Sequence, residues 1–282
     1  MRYRQQLPEM KKLFRSQIPG AISLVIFLLF TALRAVPGRP EPKAPGDHPG
    51  NPYHLVWSDE FNGKSIDTTK WNFEINGNGG GNHEQEYYQP ENAALKNGNL
   101  VITVKKEKVA NHQYTSARLN TKGKYEFLYG KIEARIKIPV GQGLWPAFWL
   151  LGADIDKTGW PACGETDIME HINTDSLIYG TLHWDHNGHV QSGDTLVSTP
   201  SSYHVYSLEW DPASIRWFID GIQYHEVSIL NSINSTEEFH LPSFILLNLA
   251  IGGDWPGQKI DDRRLPAAMY VDYVRVYQQS GN

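Results

Sequence analysis

The sequence predicts an all-β fold, a β-jelly-roll sandwich of two curved antiparallel sheets with a concave cleft on one of them. Three observations lead to it. From Tyr53 onward, short apolar–polar alternations are broken by Gly, Pro, Asn and Asp, the spacing expected of many short strands. No segment there keeps a helical period beyond two turns, and the one candidate, around "SILNSINSTEE", is short and polar. No internal repeat divides the region, so residues 53–282 read as one domain.

The chain starts with a basic, polar leader followed by the apolar run "AISLVIFLLFTAL", Ala21 to Leu33. That run has the length of a signal-peptide core and falls short of the roughly 20 apolar residues that span a membrane. Residues 1–35 are therefore expected to be a signal peptide or an uncleaved signal anchor, with the remainder secreted or periplasmic. Residues 36–52, "VPGRPEPKAPGDHPGNP" with its flanks, read as a Pro/Gly-rich linker. Beyond it come the strands "NLVITVKKE", "GKIEARIKIP", "YHVYSLEW", "IRWFIDG", "FILLNLAIGG" and "MYVDYVRVYQ". In "GKIEARIKIP", Ile132, Ala134, Ile136 and Ile138 face one way and Lys131, Glu133, Arg135 and Lys137 the other. Asp220-Gly221 is a favoured hairpin dipeptide and should join two strands.

Composition narrows the function. The chain is 40% hydrophobic and 20% charged, an ordinary globular balance. A net charge of -5 argues against a protein built to hold nucleic acid. The single cysteine, Cys163, allows no internal disulfide. "GNGGGN" lacks the Lys-Ser/Thr ending of a phosphate loop and reads as a loop at the cleft rim.

The chemistry lies in "CGETDIMEHIN", residues 163–173. In a regular strand Glu165 and Asp167 share a face and Glu170 points away. A β-bulge at Ile168–Met169 would return Glu170 to that face, and bulges gather near active sites. The outer carboxylates would then lie four strand steps apart, roughly 13 Å between Cα atoms, and side chains could close most of that gap. Such spacing admits both retaining and inverting glycosidases and leans to the retaining kind. Like charges so close push at least one pKa upward, supplying a protonated acid beside an ionised nucleophile. The competing reading of three facing acids is a calcium site.

The nearby aromatics favour a sugar over a metal. Trp145, Trp184 and Trp255 each sit beside Gly or Pro, or near a strand end, where rings can serve as platforms for sugar faces. Trp149, Trp210 and Trp217 lie within dense apolar strands and are expected in the core.

"GETDIMEHI", preceded by "GLWPAFWLLG", resembles glycoside hydrolase family 16, in its laminarinase-like branch. The similarity runs from "LVWSDEFNG" through "YVDYVRVYQ". The resemblance implies a β-jelly-roll and retaining hydrolysis of β-glycosidic bonds, with no cofactor for catalysis. It makes Glu165 the nucleophile, Asp167 its helper and Glu170 the acid/base. "GNHEQEYY" and "SARLNTKGKYEF" place Asn82, Glu84 and Arg118 in the groove, and "TLHW" adds His183. His83 and Glu86 depart from the family pattern. A structural calcium is implied at Asp272, with carbonyls near Glu60 and Gly98. The implied activity is a secreted endo-β-1,3-glucanase, also accepting mixed β-1,3-1,4-glucans. The alternatives are a hydrolase or transglycosylase of another β-linked polysaccharide, such as agarose or carrageenan, and a non-catalytic glucan-binding protein, which would not need paired glutamates. The expected partner is the polysaccharide alone, with the protein a monomer.

Overall fold

Two antiparallel sheets stack face to face in the computed structural model, which describes residues 53–279. The expected signal segment and linker lie outside those residues. Among the described residues, no helix is long and apolar enough to cross a membrane. The outer sheet runs Ile222–Ser228, Ser214–Ile219, His204–Trp210, Gly130–Lys137, Ala267–Gln279, Asn99–Val104 and Ala93–Lys96, with Tyr53–Asp59 also pairing to Ala267–Gln279. The inner sheet runs His189–Val197, Leu177–Asp185, Glu165–Glu170, Leu144–Gly152, Ser243–Ile251, Arg118–Asn120 and Asn72–Phe73, with Glu126–Phe127 also pairing to Ser243–Ile251. The one α-helix among the described residues is the four-residue turn Ile155–Thr158. The "SILNSINSTEE" stretch carries a 3-10 turn, Leu230–Ser232, rather than an α-helix.

Alternation builds the core between the sheets. Ile132, Ala134, Ile136 and Ile138 are all buried, as their spacing predicts. They meet Phe148, Leu150, Leu182 and Leu247 of the inner sheet in one apolar cluster. The hairpin at Asp220-Gly221 forms with φ of 50° and 81° at the two residues. A two-residue turn that follows the strand twist needs both angles positive. Trp210 and Trp217 are buried at 3% and 0% exposure, in the core as expected.

On the outer sheet, Ala267–Gln279 pairs with Asn99–Val104 up to Val271 and with Tyr53–Asp59 from Val274 onward. Glu60 and Gly98 lie where one partner strand gives way to the other, near Asp272. There Arg135 Nη1 lies 2.6 Å from Asp272 Oδ2, and Arg275 binds both carboxylate oxygens of Glu60 at 2.8 Å. Calcium would have to share Asp272 with a guanidinium. We propose a structural calcium near Asp272 that is held chiefly by carbonyl oxygens. Calcium at 100 times its Kd should then stabilise the EDTA-treated protein by about 2.7 kcal/mol. Identical melting temperatures in EDTA and in calcium would remove the site.

Candidate active site

The floor of the inner sheet's outward face is the strand Glu165–Glu170, and its register is broken where the sequence required. Glu165 lies opposite His183 and Glu170 opposite Tyr179 on one neighbour. On the other, Glu165 lies opposite Leu151 and Glu170 opposite Ala147. Both neighbours advance four residues while this strand advances five. The extra residue is a bulge, and its signature is that consecutive Ile168 and Met169 are both buried in the core, at 1% and 0% exposure. Glu165, Asp167 and Glu170 all face away from that core. Trp217 holds the bulge from beneath, its Nε1 donating to the Asp167 carbonyl at 2.8 Å.

The three acids sit in unequal surroundings. Burial first, then the Asp167 charge, pushes Glu165 up to about 8. Burial takes Asp167 to about 8 as well. Burial, then Asp167, raises Glu170 well above the usual carboxylate range. The Arg118 charge and a hydrogen bond from Trp160 favour the charged form at Glu165. Glu170 accepts a bond from Trp145 Nε1 at 2.8 Å, and the Glu165 charge opposes its ionisation. Glu170 therefore holds its proton more tightly than Glu165, because both neighbouring acids oppose its ionisation. That is the division of labour of a nucleophile and an acid.

The other expected site residues divide by strand parity. In Leu177–Asp185, Tyr179, Thr181 and His183 share the acids' side, while Ile178, Leu182 and Trp184 point into the core. Trp184 is 8% exposed and donates its Nε1 to the Asn234 carbonyl. The expectation that it forms a sugar platform is thereby corrected, because adjacent residues of a regular strand cannot both face the cleft. The reverse correction applies to Trp149. Its neighbours Phe148 and Leu150 fill the core, so Trp149 shares the cleft side with Trp145. Its Nε1 donates to Asn248 Oδ1 at 2.8 Å, and the Arg118 guanidinium lies 4.7 Å from its ring centre. Arg118 in turn pairs with Glu74 at 3.1 Å.

At one rim, Trp255 meets the Trp145 ring edge-on at 5.5 Å and Tyr179 at 4.8 Å. Its loop is tied to the "GNGGGN" segment, since the Asn82 carbonyl accepts the Asp254 N–H at 2.8 Å and His83 Nδ1 lies 2.9 Å from the Asp254 carboxylate. That segment is a 3-10 turn, Gly79–Gly81. Gly80 has a φ of 60°, the left-handed region that favours glycine, and a Cβ there would displace the Glu84 carboxylate. Glu84 Oε2 accepts the Tyr88 hydroxyl at 2.9 Å, and Asn248 donates to the same hydroxyl at 3.3 Å. Three residues near the cleft escaped the sequence reading: half-exposed Trp160, exposed His189 and buried Asn248. Trp160 follows Gly and precedes Pro just ahead of Glu165, a signal like the one that singled out the other platforms.

Glu86, where the family pattern has Gln, is buried at 1% exposure, its Oε2 accepting the Ile251 N–H at 2.7 Å. Burial, then the Glu84 charge, raises its pKa well above the usual range. A group whose folded pKa is raised stabilises the fold fully below its unfolded pKa, and that contribution is lost as pH rises through the folded pKa. Glu86→Gln keeps the shape and removes the ionisation. The variant should melt higher than wild type at alkaline pH and match it near pH 4. Parallel Tm-against-pH curves for the two proteins would refute this.

Fold and site together define a glycosidase-type jelly-roll with paired carboxylates. The chain belongs to the glycosyl hydrolases family 16, whose sequence profile matches residues 80–275, and it is a glycoside hydrolase. It is 38% identical over 244 residues to a beta-glucanase of Rhodothermus marinus, covering 80% of this chain and 85% of that protein. It is 45% identical over 237 residues to the clotting factor G alpha subunit of Tachypleus tridentatus. That match covers 81% of this chain, which spans only 34% of the subunit's length. Among solved structures, the catalytic domain of an endo-1,3-beta-glucanase (laminarinase) from Thermotoga petrophila superposes with a TM-score of 0.74. It is 43% identical and covers 81% of this chain and 99% of that one.

Proposed function

We propose that this chain is an endo-β-1,3-glucanase that also accepts mixed β-1,3-1,4-glucans and hydrolyses them with retention of configuration. The observation that carries the reading is the bulge, which sets Glu170 on the side of Glu165 with a proton-retaining environment of its own. Glu170 donates its proton to the glycosidic oxygen as Glu165 attacks the anomeric carbon, giving a glycosyl ester and freeing the leaving sugar. Esterification removes the Glu165 charge, which had opposed ionisation of Glu170. Glu170 now holds a carboxylate more readily and takes a proton from the water that opens the ester. Asp167 and His183, 3.1 Å apart, hold the charge balance around Glu165.

The substrate class follows the similarity to the Rhodothermus beta-glucanase and the Thermotoga laminarinase. Product analysis on laminarin, lichenan, agarose and carrageenan tests it. Oligosaccharides should appear from laminarin and lichenan. Cleavage of agarose or carrageenan with laminarin untouched would overturn the assignment. The exposed rings at the rims, Trp160 and Trp255, are proposed sugar platforms. An aromatic contact worth about 0.5–1.5 kcal/mol corresponds to a KM raised about 2–10-fold in Trp160→Ala or Trp255→Ala, with little change in Tm. A large loss of Tm at unchanged KM would make these rings structural.

A further inference from the structure

Glu165, Asp167 and His183 each present one donor atom, and the three atoms lie within 4.8 Å of one another. The two carboxylates come from one side of one strand, and His183 is the cross-strand partner of Glu165. Two further observations set this cluster apart from an ordinary acid–histidine contact. Asp167 Oδ2 is buried and has no hydrogen-bond partner, on a side chain only 3% exposed. His183 Nε2 lies 3.1 Å from that oxygen without a hydrogen bond between them. The second observation is the outer nitrogen of the same ring. His183 Nδ1 is 2.9 Å from His189 Nε2, the rings stack at 5.1 Å, and Trp160 covers His189 at 4.6 Å. His189 can accept a proton carried on Nδ1, the tautomer in which Nε2 is unprotonated toward the carboxylates and free to take a cation. Metal-binding histidines are held in this way, with the non-ligating nitrogen donating to a fixed acceptor.

We propose that Glu165, Asp167 and His183 bind a borderline divalent transition cation, zinc or copper(II), at the same place where substrate reacts, with His189 orienting the imidazole. Two carboxylates and one imidazole suit these ions, whereas calcium and magnesium prefer sets of oxygen alone. Two carboxylate charges balance the cation, and three protein ligands leave a coordination position for water. An occupied site engages the lone pairs that Glu165 needs for attack, so the ion inhibits. The binding claim is independent of the proposed hydrolysis, while the inhibition claim rests on it.

Calorimetric titration of the full chain with zinc chloride, and with calcium chloride in parallel, tests the binding. One zinc per chain is expected, absent in His183→Ala and weakened about 10–100-fold in His189→Ala. Calcium should give no competing signal at this site. Laminarin oligosaccharides should weaken zinc binding, and zinc should inhibit laminarin hydrolysis competitively, with EDTA restoring the rate. Equal zinc affinity in wild type and His189→Ala overturns the proposal even if His183→Ala fails to fold, because His189 is exposed on an edge strand. Displacement of zinc by equimolar calcium, or non-competitive inhibition, overturns it as well. A chain that binds zinc as expected but cleaves no laminarin leaves the site standing and refutes the glucanase reading alone.

Discussion

Glu165→Gln is expected to abolish laminarin hydrolysis, and Glu170→Gln to lower kcat by about 10²–10⁴-fold, with the fold of both retained. The amide keeps the shape of each side chain but cannot attack as a nucleophile or deliver a proton. Stability should not fall, because burial already opposes ionisation at both positions. The two losses are separable. An aryl glycoside with a good leaving group needs little protonation, so it should recover much of the rate in Glu170→Gln and none in Glu165→Gln. Azide supplied to Glu165→Gly should restore turnover and give a glycosyl azide of inverted configuration, since the small anion replaces the nucleophile in a single displacement. Wild-type kcat in either glutamine variant would exclude that residue from the chemistry.

One residue inserted between Met169 and Glu170 should eliminate hydrolysis while sugar binding stays measurable. The strand Glu165–Glu170 already spends one residue more than its neighbours across the acids. A second extra residue reverses parity again, so Glu170 turns toward the core and loses the Trp145 bond. The rims that hold sugar, with Trp160 and Trp255, belong to other segments. Deleting Met169 tests the converse. The shortened strand returns Glu170 to the cleft by plain alternation, but the core loses a side chain of 0% exposure, at a cost of about 2–5 kcal/mol. That variant should be folded but destabilised, with reduced rather than absent activity. Normal laminarin hydrolysis by the insertion variant would show that the bulge does not direct Glu170.

Much of this molecule was legible in its sequence, because strand structure leaves a period of two in the residue pattern. The strand Gly130–Lys137, the Asp220-Gly221 turn and the extra residue between Asp167 and Glu170 could each be read from local rules. Parity alone also separates His183 from Trp184, since neighbours must diverge, and the strand-end signal that favoured Trp184 was the weaker guide. Trp149 is a different case. Its strand is apolar on both sides because a second small cluster, Leu151, Cys163, Phe244 and Leu246, packs on the face away from the core. Two apolar faces erase the alternation that would have revealed which one Trp149 takes.

The strands, the three acids and the register break that aligns them were open to local reading, since each depends on residues near one another in the chain. The unequal surroundings of Glu165 and Glu170 could not be read locally, because they depend on Arg118, Trp160 and Trp145 arriving from separate segments. The tertiary structure alone brought His189 onto His183 and buried Glu86 beside Glu84. Desolvation and charge act through space, and distances through space are set only once the sheets have closed.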